Sequence, residues 1–456
     1  MIEHADTILQ NVHLVTFDDD ATVIPDGAVA ISDGVIVDRG PTAEVCQRWT
    51  TDNRVFGGGQ IAIPGLTDAH FHTAQSLMRG VLTTLQRTRR LRVPTWREYY
   101  LPFEAALTPD DVRLSGEFAY TTMLRSGTTA FFEAGGPHPE SMADAAIATG
   151  IRGIVSQSTM DGGSRIPESM VMTTEEAIAR NIAVADAYPA SPDGSRRVTG
   201  AMSLRQIITC STELITTVHE EATRRGVKVH THLVEGTYEI DYALERFGKR
   251  PIEHLIDLGV FDRTLHCAHS ILVSDQEIGE YVTRGASACH CAKGNYSIGS
   301  APAMRMWRRG VDIGTGTDGV ATLGTLDLFR IAMLTRIGQQ LVDGTPNHNR
   351  NSVQAAEPLE MAVVGGARSV GLGDVTGSLV VGKRADIVLL STMGPEAAGF
   401  ASPEAFLYEA ASGRDVTTVF VDGQKVVADG EVVTIDEAEV RARASARQAA
   451  LLGEVA

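Results

Sequence analysis

The sequence predicts an α/β protein: a (β/α)8 TIM-like barrel with a small β-sandwich domain built from both chain ends. Three observations lead there. Short β-like runs alternate with helical segments through the middle of the chain. Eight such runs fall within roughly 300 residues, the count of a closed barrel. The two ends share a different texture of short strands and tight turns.

Residues 1–60 are expected to form the N-terminal part of the sandwich. Val12–Phe17 is apolar, Asp18, Asp19 and Asp20 make a turn, and Ala28–Ile31 and Val35–Asp38 flank Ser32, Asp33 and Gly34. Residues 61–374 are expected to form the barrel. Its runs are Ile61–His72, Thr128–Ala134, Arg152–Asp161, Val198–Arg205, Val227–His232, Thr264–His269, Ala286–Cys291 and Val311–Asp318. Helical texture separates most of them; Thr212–Arg225, with Ser211 as N-cap and Gly226 as stop, is one example. Residues 375–456 return to strands at Ala385–Leu390, Val416–Val421 and Lys425–Val427. They end in an Ala- and Arg-rich surface helix over Glu437–Gly453.

Acidic residues outnumber basic ones, 57 to 40, for a formal charge of −17. Such a surface has no basic excess with which to displace counterions from phosphates, so a nucleic-acid partner is not expected. No apolar run reaches the roughly 18 residues of a membrane helix. The first residues also lack the basic and apolar regions of a secretory leader. The cysteines (Cys46, Cys210, Cys267, Cys289 and Cys291) are odd in number and without a CxxC pair, which suits reduced thiols in a cytoplasmic protein. Cys289-His290-Cys291 has too few ligands for a zinc site, and its alternation suits a buried strand.

Active sites of such barrels lie at the C-terminal ends of the strands. His70 and His72 close the first run, and residues at i and i+2 of a strand share a face. His232 closes the fifth run, His269 the sixth and Asp318 the eighth. Three imidazoles and a carboxylate suit one Zn²⁺, with Fe²⁺ the other cation of matching preference, and they leave room for a water. The fourth run, Val198–Arg205, holds no lysine that could be carboxylated to bridge two ions, so one metal is expected. His230 and His266 lie deeper on their strands and read as barrel-layer residues. His290 sits just short of its strand's end and reads as a supporting residue.

His70-Phe-His72, His232-Leu-Val-Glu235, Ala268-His269 and Thr317-Asp318-Gly319 resemble the signature of the amidohydrolase superfamily. More narrowly they resemble its deaminase and chlorohydrolase branch: guanine, adenosylhomocysteine and cytosine deaminases and the triazine hydrolases. Met123-Leu-Arg-Ser-Gly-Thr-Thr129, Leu101-Pro-Phe-Glu104, Leu107-Thr-Pro-Asp-Asp111, Arg246-Phe-Gly-Lys-Arg250 and the tail motif Gly382-Lys-Arg-Ala-Asp-Ile-Val-Leu389 extend the likeness over nearly the whole chain. The resemblance implies that His70, His72, His232 and Asp318 hold the metal. It implies that Glu235 shuttles protons and that His269 partners the reacting group, with Asp318 also taking a proton from the attacking water. Many relatives are dimers or tetramers, so a homo-oligomer is expected.

The commonest use of such a site is deamination of an amino-substituted heteroaromatic ring, so the partner is a small heterocyclic substrate. Gln75 and Arg205 match positions where guanine deaminases contact the base, and adenosylhomocysteine deaminases have a histidine where Arg205 stands. Arginine can donate two hydrogen bonds to a ring carbonyl and its neighbour. The reading therefore leans to a guanine-like oxo-purine or a pterin, with Gln75, Glu104, Arg205 and Asn295 as substrate contacts. Adenosine-derivative deamination and triazine dechlorination or amine release are the alternatives, followed by opening of a cyclic amide. A non-catalytic scaffold is disfavoured by the complete ligand set. Thr322-Leu323-Gly324 and Ala292-Lys293-Gly294-Asn295 depart from the loops usual in relatives, and Lys293 with Arg205 would favour a carbonyl-rich or anionic ligand.

Overall fold

The eight expected barrel strands all form, mostly shorter than their apolar runs. In this computed structural model, which describes residues 2–455, they are Leu66–Phe71, Thr128–Glu133, Arg152–Val155, a split fourth strand, Val229–Leu233, Leu265–His269, Ser287–His290 and Ile313–Thr315. All their pairings are parallel, and they run in chain order as two sheets. The fourth strand, expected as one run, is two pieces, Val198–Gly200 and Met202–Leu204. The first piece pairs with the third strand and the second with the fifth. The cause is a change of partner at Ala201, whose amide donates to Val155 while that of Met202 donates to Lys228.

The first and eighth strands meet through the site itself. The Asp318 amide donates to the His70 carbonyl at 3.1 Å. The Thr317 amide and hydroxyl donate to the buried Asp68 carboxylate at 3.0 and 2.6 Å. The backbones approach so closely at Gly316 that a Cβ there would lie 3.0 Å from the His70 amide nitrogen. Glycine is required at that point by contact, whatever its φ.

One expectation needs correcting. Ile61–His72 is two strands with a turn at Gly65, and Ile61–Pro64 lies outside the barrel. It pairs antiparallel with Ile387–Leu390 and parallel with Thr7–Val15, in the middle of a nine-stranded mixed sheet drawn from both chain ends. A side chain at Gly65 would overlap Thr129, so only glycine lets the chain turn from this sheet into the barrel. Leu9, Leu14, Val29, Ile31, Ile387, Leu389 and Phe420 share one core, which makes the two ends a single body.

The tail motif carries the joint between sheet and barrel. Asp386 accepts from Arg152 Nε and Nη2 at 2.9 and 3.1 Å, and also from the Asp422 amide at 2.7 Å. Arg152 and Asp386 are both fully buried, so removing either partner would strand a charge, at a cost of about 3–5 kcal/mol.

Helix Thr212–Arg225 forms as its signals predict, with the Ser211 side chain accepting from the Leu214 amide and Gly226 left-handed at φ 68°. The terminal helix, Glu437–Val455, is not purely a surface element. Val440 and Ala444 are buried, and Arg443 and Arg447 bond Glu117 and Asp111 on helix Pro109–Arg125. No helix among the described residues is long and apolar enough to cross a membrane.

Candidate metal centre and active site

The side chains expected to bind metal converge at the C-terminal rim. His70 Nε2 lies 3.2 Å from Asp318 Oδ1, His72 Nε2 lies 3.7 Å from the same oxygen, and His232 Nε2 is 3.2 Å from His72 Nε2. Among the described residues, His70, His72 and Asp318 form one group able to hold a cation, and His70, His232 and His269 form another. The two share His70, so a single centre is enclosed. Cys289 and Cys291 enter neither group; their sulfurs face each other at 3.9 Å.

Two of the imidazoles are aimed from behind. His232 Nδ1 bonds the Arg205 carbonyl at 2.8 Å, so that ring's Nε2 carries the lone pair toward the centre. His70 Nδ1 lies 2.8 Å from His230 Nε2, with the two rings stacked. His230 is thus more than a filler of the barrel layer: it orients a ligand. Its position two residues before His232, on the same strand face, was the available signal. His266 does lie deeper, bonded to the Ala69 and Ser369 carbonyls.

The donor set fits a divalent cation. Burial holds His70, His72 and His232 well below the usual imidazole pKa, reinforced by neighbouring positive groups, so all three are neutral and able to ligate. The backbone also bends to present these groups. Val234, His269 and Asp318 take positive φ (53°, 69° and 58°), costly for non-glycine residues and especially for a β-branched one. When bound, the cation supplies a water whose pKa is drawn toward about 7 and a charge that stabilises the developing oxyanion.

His269 and Glu235 flank this centre. His269 Nδ1 bonds Asn295 Oδ1 at 3.1 Å, which turns its other nitrogen to the site. Burial opposes its protonation, yet Glu235, Cys291 and Asp318 together push it up to about 10. Glu235 Oε2 accepts from Gln206 and from the Tyr238 hydroxyl, both at 2.7 Å, and its other oxygen takes part in neither bond. Tyr238 in turn accepts from Trp96 Nε1 at 3.2 Å. Sequence reasoning missed Gln206, Tyr238 and Trp96. Tyr238 lies three residues beyond Glu235, in the first turn of helix Thr237–Phe247, and was findable; Trp96 carries no local signal.

The expected substrate contacts divide. Asn295 is fully buried, and its amide nitrogen is taken by the His269 carbonyl and by His290. It is placed to position His269, with no atom left over for substrate. Lys293 is exposed and donates to the Thr322 carbonyl, which leaves it further N–H donors. Gln75, Glu104 and Arg205 meet in one buried corner. Gln75 donates to Glu104 at 2.6 Å, and Arg205 Nη1 lies 3.7 Å from Glu104 Oε2, under the Trp96 ring. Glu104 Oε2, Gln75 Oε1 and Arg205 Nη1 make no hydrogen bond in the structure.

The chain matches the amidohydrolase family over residues 61–426. It belongs to that family. It is 30% identical over 427 residues to a 5-methylthioadenosine/S-adenosylhomocysteine deaminase of Moorella thermoacetica, covering 93% of this chain and 95% of the relative. It is 31% identical over 438 residues to a 5'-deoxyadenosine deaminase of Methanosarcina acetivorans, covering 96% of each. Among solved structures, an adenosine deaminase of Xanthomonas campestris with bound zinc superposes with a TM-score of 0.91 at 28% identity, covering 99% of this chain and 100% of that one. The site is that of an amidohydrolase deaminase with a single divalent metal as cofactor. The comparisons favour an adenosine derivative over the guanine-like ring that Gln75 and Arg205 suggested.

Proposed function

We propose that the protein deaminates the exocyclic amine of an adenine nucleoside bearing an altered 5' position. The observation that carries this reading is the corner formed by Gln75, Glu104 and Arg205. Glu104 Oε2, Gln75 Oε1 and Arg205 Nη1 make no hydrogen bond in these buried surroundings, although Arg205 Nη1 and Glu104 Oε2 face each other as an ion pair at 3.7 Å. Unpaired buried polar atoms are costly, so the corner is built for a ligand that pairs them. A ribose diol, with two hydroxyls that each donate and accept, supplies what two acceptors and a donor need. A free base lacks those hydroxyls.

In this reading the corner anchors the sugar while the ring reaches the metal centre. Glu235 protonates the ring nitrogen as the amino-bearing carbon is attacked, and Gln206 and Tyr238 hold its carboxylate in place. Asp318 accepts the proton of the attacking water, and His269, braced by Asn295, stabilises the oxygen of the tetrahedral adduct. Ammonia leaves. The deaminases of methylthioadenosine, adenosylhomocysteine and 5'-deoxyadenosine among the relatives support the same ring.

A second reading rests on Arg205 itself, whose free Nη1 could donate to a ring carbonyl of an oxo-purine or pterin. The 3.7 Å approach of Glu104 weakens it, because the guanidinium charge is already matched. Ammonia release from 5'-deoxyadenosine, methylthioadenosine and adenosylhomocysteine, against guanine and pterin, separates the two. The nucleosides should give the higher kcat/KM; a higher value for guanine or pterin would overturn the proposal.

A further inference from the structure

The segment from Arg79 to Glu104 is a strap across the mouth of the barrel. Arg79 donates to the Gly324 carbonyl at 2.7 Å, and the Tyr100 hydroxyl lies 3.4 Å from that of Thr322, both beyond the eighth strand. On the other side Trp96 donates to Tyr238, beyond the fifth strand, and Glu98 binds Arg165, beyond the third. Helix Val81–Gln86 and the helical turn Trp96–Tyr100 lie within the strap.

Its charge is unlike that of the rest of the chain. In a protein of net charge −17, residues 69–97 contain no aspartate or glutamate, while Arg79, Arg87, Arg89, Arg90, Arg92 and Arg97 stand on the strap. Glu98 is the carboxylate paired with strap arginines among the described residues, and it serves Arg92 at 3.9 Å, Arg97 at 3.8 Å and Arg165. Arg87, Arg89 and Arg90 are exposed, and their side chains make no hydrogen bond or ion pair among the described residues. A fold this acidic repels anions at long range. Within a Debye length of about 8 Å, however, nearby strap arginines are less screened than the distant acidic surface.

We infer that the substrate carries a net negative oxyanion group, a phosphate or a carboxylate, which the strap arginines draw to the mouth and hold outside the buried corner. This rests on the adenine-nucleoside reading and extends it to the 5' substituent, which would project from the corner toward the strap. Arginine suits either anion, since its planar fork matches both geometries.

The test compares kcat/KM for adenosine 5'-phosphate, adenosine 5'-carboxylate and neutral 5'-deoxyadenosine from about 20 to 300 mM salt. At low salt an anionic compound should exceed the neutral one by roughly tenfold or more, and the ratio should shrink as salt rises. Whichever anion shows the larger ratio identifies the group. Replacing Arg87, Arg89 and Arg90 together by serine should collapse the ratio toward one, whereas replacing them by lysine should keep most of it. That contrast separates charge from a merely structural role. A ratio near one at all salt concentrations, or one the serine variant leaves unmoved, overturns the inference. If no adenine compound is deaminated, the function proposed above fails on its own. The strap is then judged by equilibrium dialysis of adenosine 5'-phosphate against adenosine. Preferential binding of the phosphate that the serine variant loses supports the strap, and equal binding overturns it.

Discussion

Two buried polar clusters sit side by side at the rim, and they are finished to different degrees. In the metal quartet, His70 and His232 have their rear nitrogens pinned by His230 and by the Arg205 carbonyl, with His72 Nδ1 the exception. In the neighbouring corner, Gln75, Glu104 and Arg205 touch one another yet leave three polar atoms without a hydrogen bond. The first cluster is preorganised for an ion that stays. The second keeps hydrogen-bonding capacity open, which on the proposed function the substrate's ribose takes up.

The largest expected effect lies in the first cluster. His232→Ala should abolish metal retention, read by elemental analysis, and lower kcat/KM by about a thousandfold or more. Full activity with full metal content would show that the quartet is assigned wrongly. Next comes Glu235→Gln, which keeps the Gln206 and Tyr238 contacts but cannot cycle a proton. It should cost about a hundredfold to ten-thousandfold in kcat with metal content unchanged. Metal loss in that variant would move Glu235 from proton transfer into the ligand set.

The corner should respond more gently and in a way the quartet cannot. Glu104→Gln should lower kcat/KM for 5'-deoxyadenosine by roughly tenfold to a hundredfold, the worth of one charge-assisted hydrogen bond. The loss should vanish for the 2',3'-dideoxy analogue. An equal loss on both compounds would mean that the corner does not read the diol.

The smallest effect concerns stability. Burial lifts the Glu239 carboxyl from 4.5 to about 8, against hydrogen bonds from the Glu235 and Val234 amides. The folded state therefore keeps a proton that the unfolded chain releases, and this contribution to stability is full below about 4.5 and lost as pH rises toward about 8. Glu239→Gln should accordingly gain Tm relative to the parent between about pH 5 and 8, and nothing near pH 4. A constant offset across that range would disprove the shifted carboxyl.

Much of the convergence at the rim was legible in the chain, because strand-end placement is a local property. His70 and His72 share a face by the alternation of one strand, and His232, His269 and Asp318 each follow an apolar run. His230 sat in plain view on the same alternation, but its bond to His70 spans 160 residues and needs the closed barrel. Ile61–Pro64 misled for a related reason: an apolar run looks the same whether it lines a barrel or the middle of a sheet. Only Gly65, where a side chain would meet Thr129, marks the change.

The sequence by itself determined the alternating fold, the ligand types and their strand-end positions, since each follows from periodicity and residue chemistry within a few neighbours. Tertiary structure alone decided that Asn295 braces His269, that Arg205 is matched by Glu104, and that Trp96 reaches Tyr238 across the mouth. Those pairings join residues between 26 and 142 positions apart. No local pattern encodes them, because they depend on how the loops at the ends of the eight strands are packed against one another.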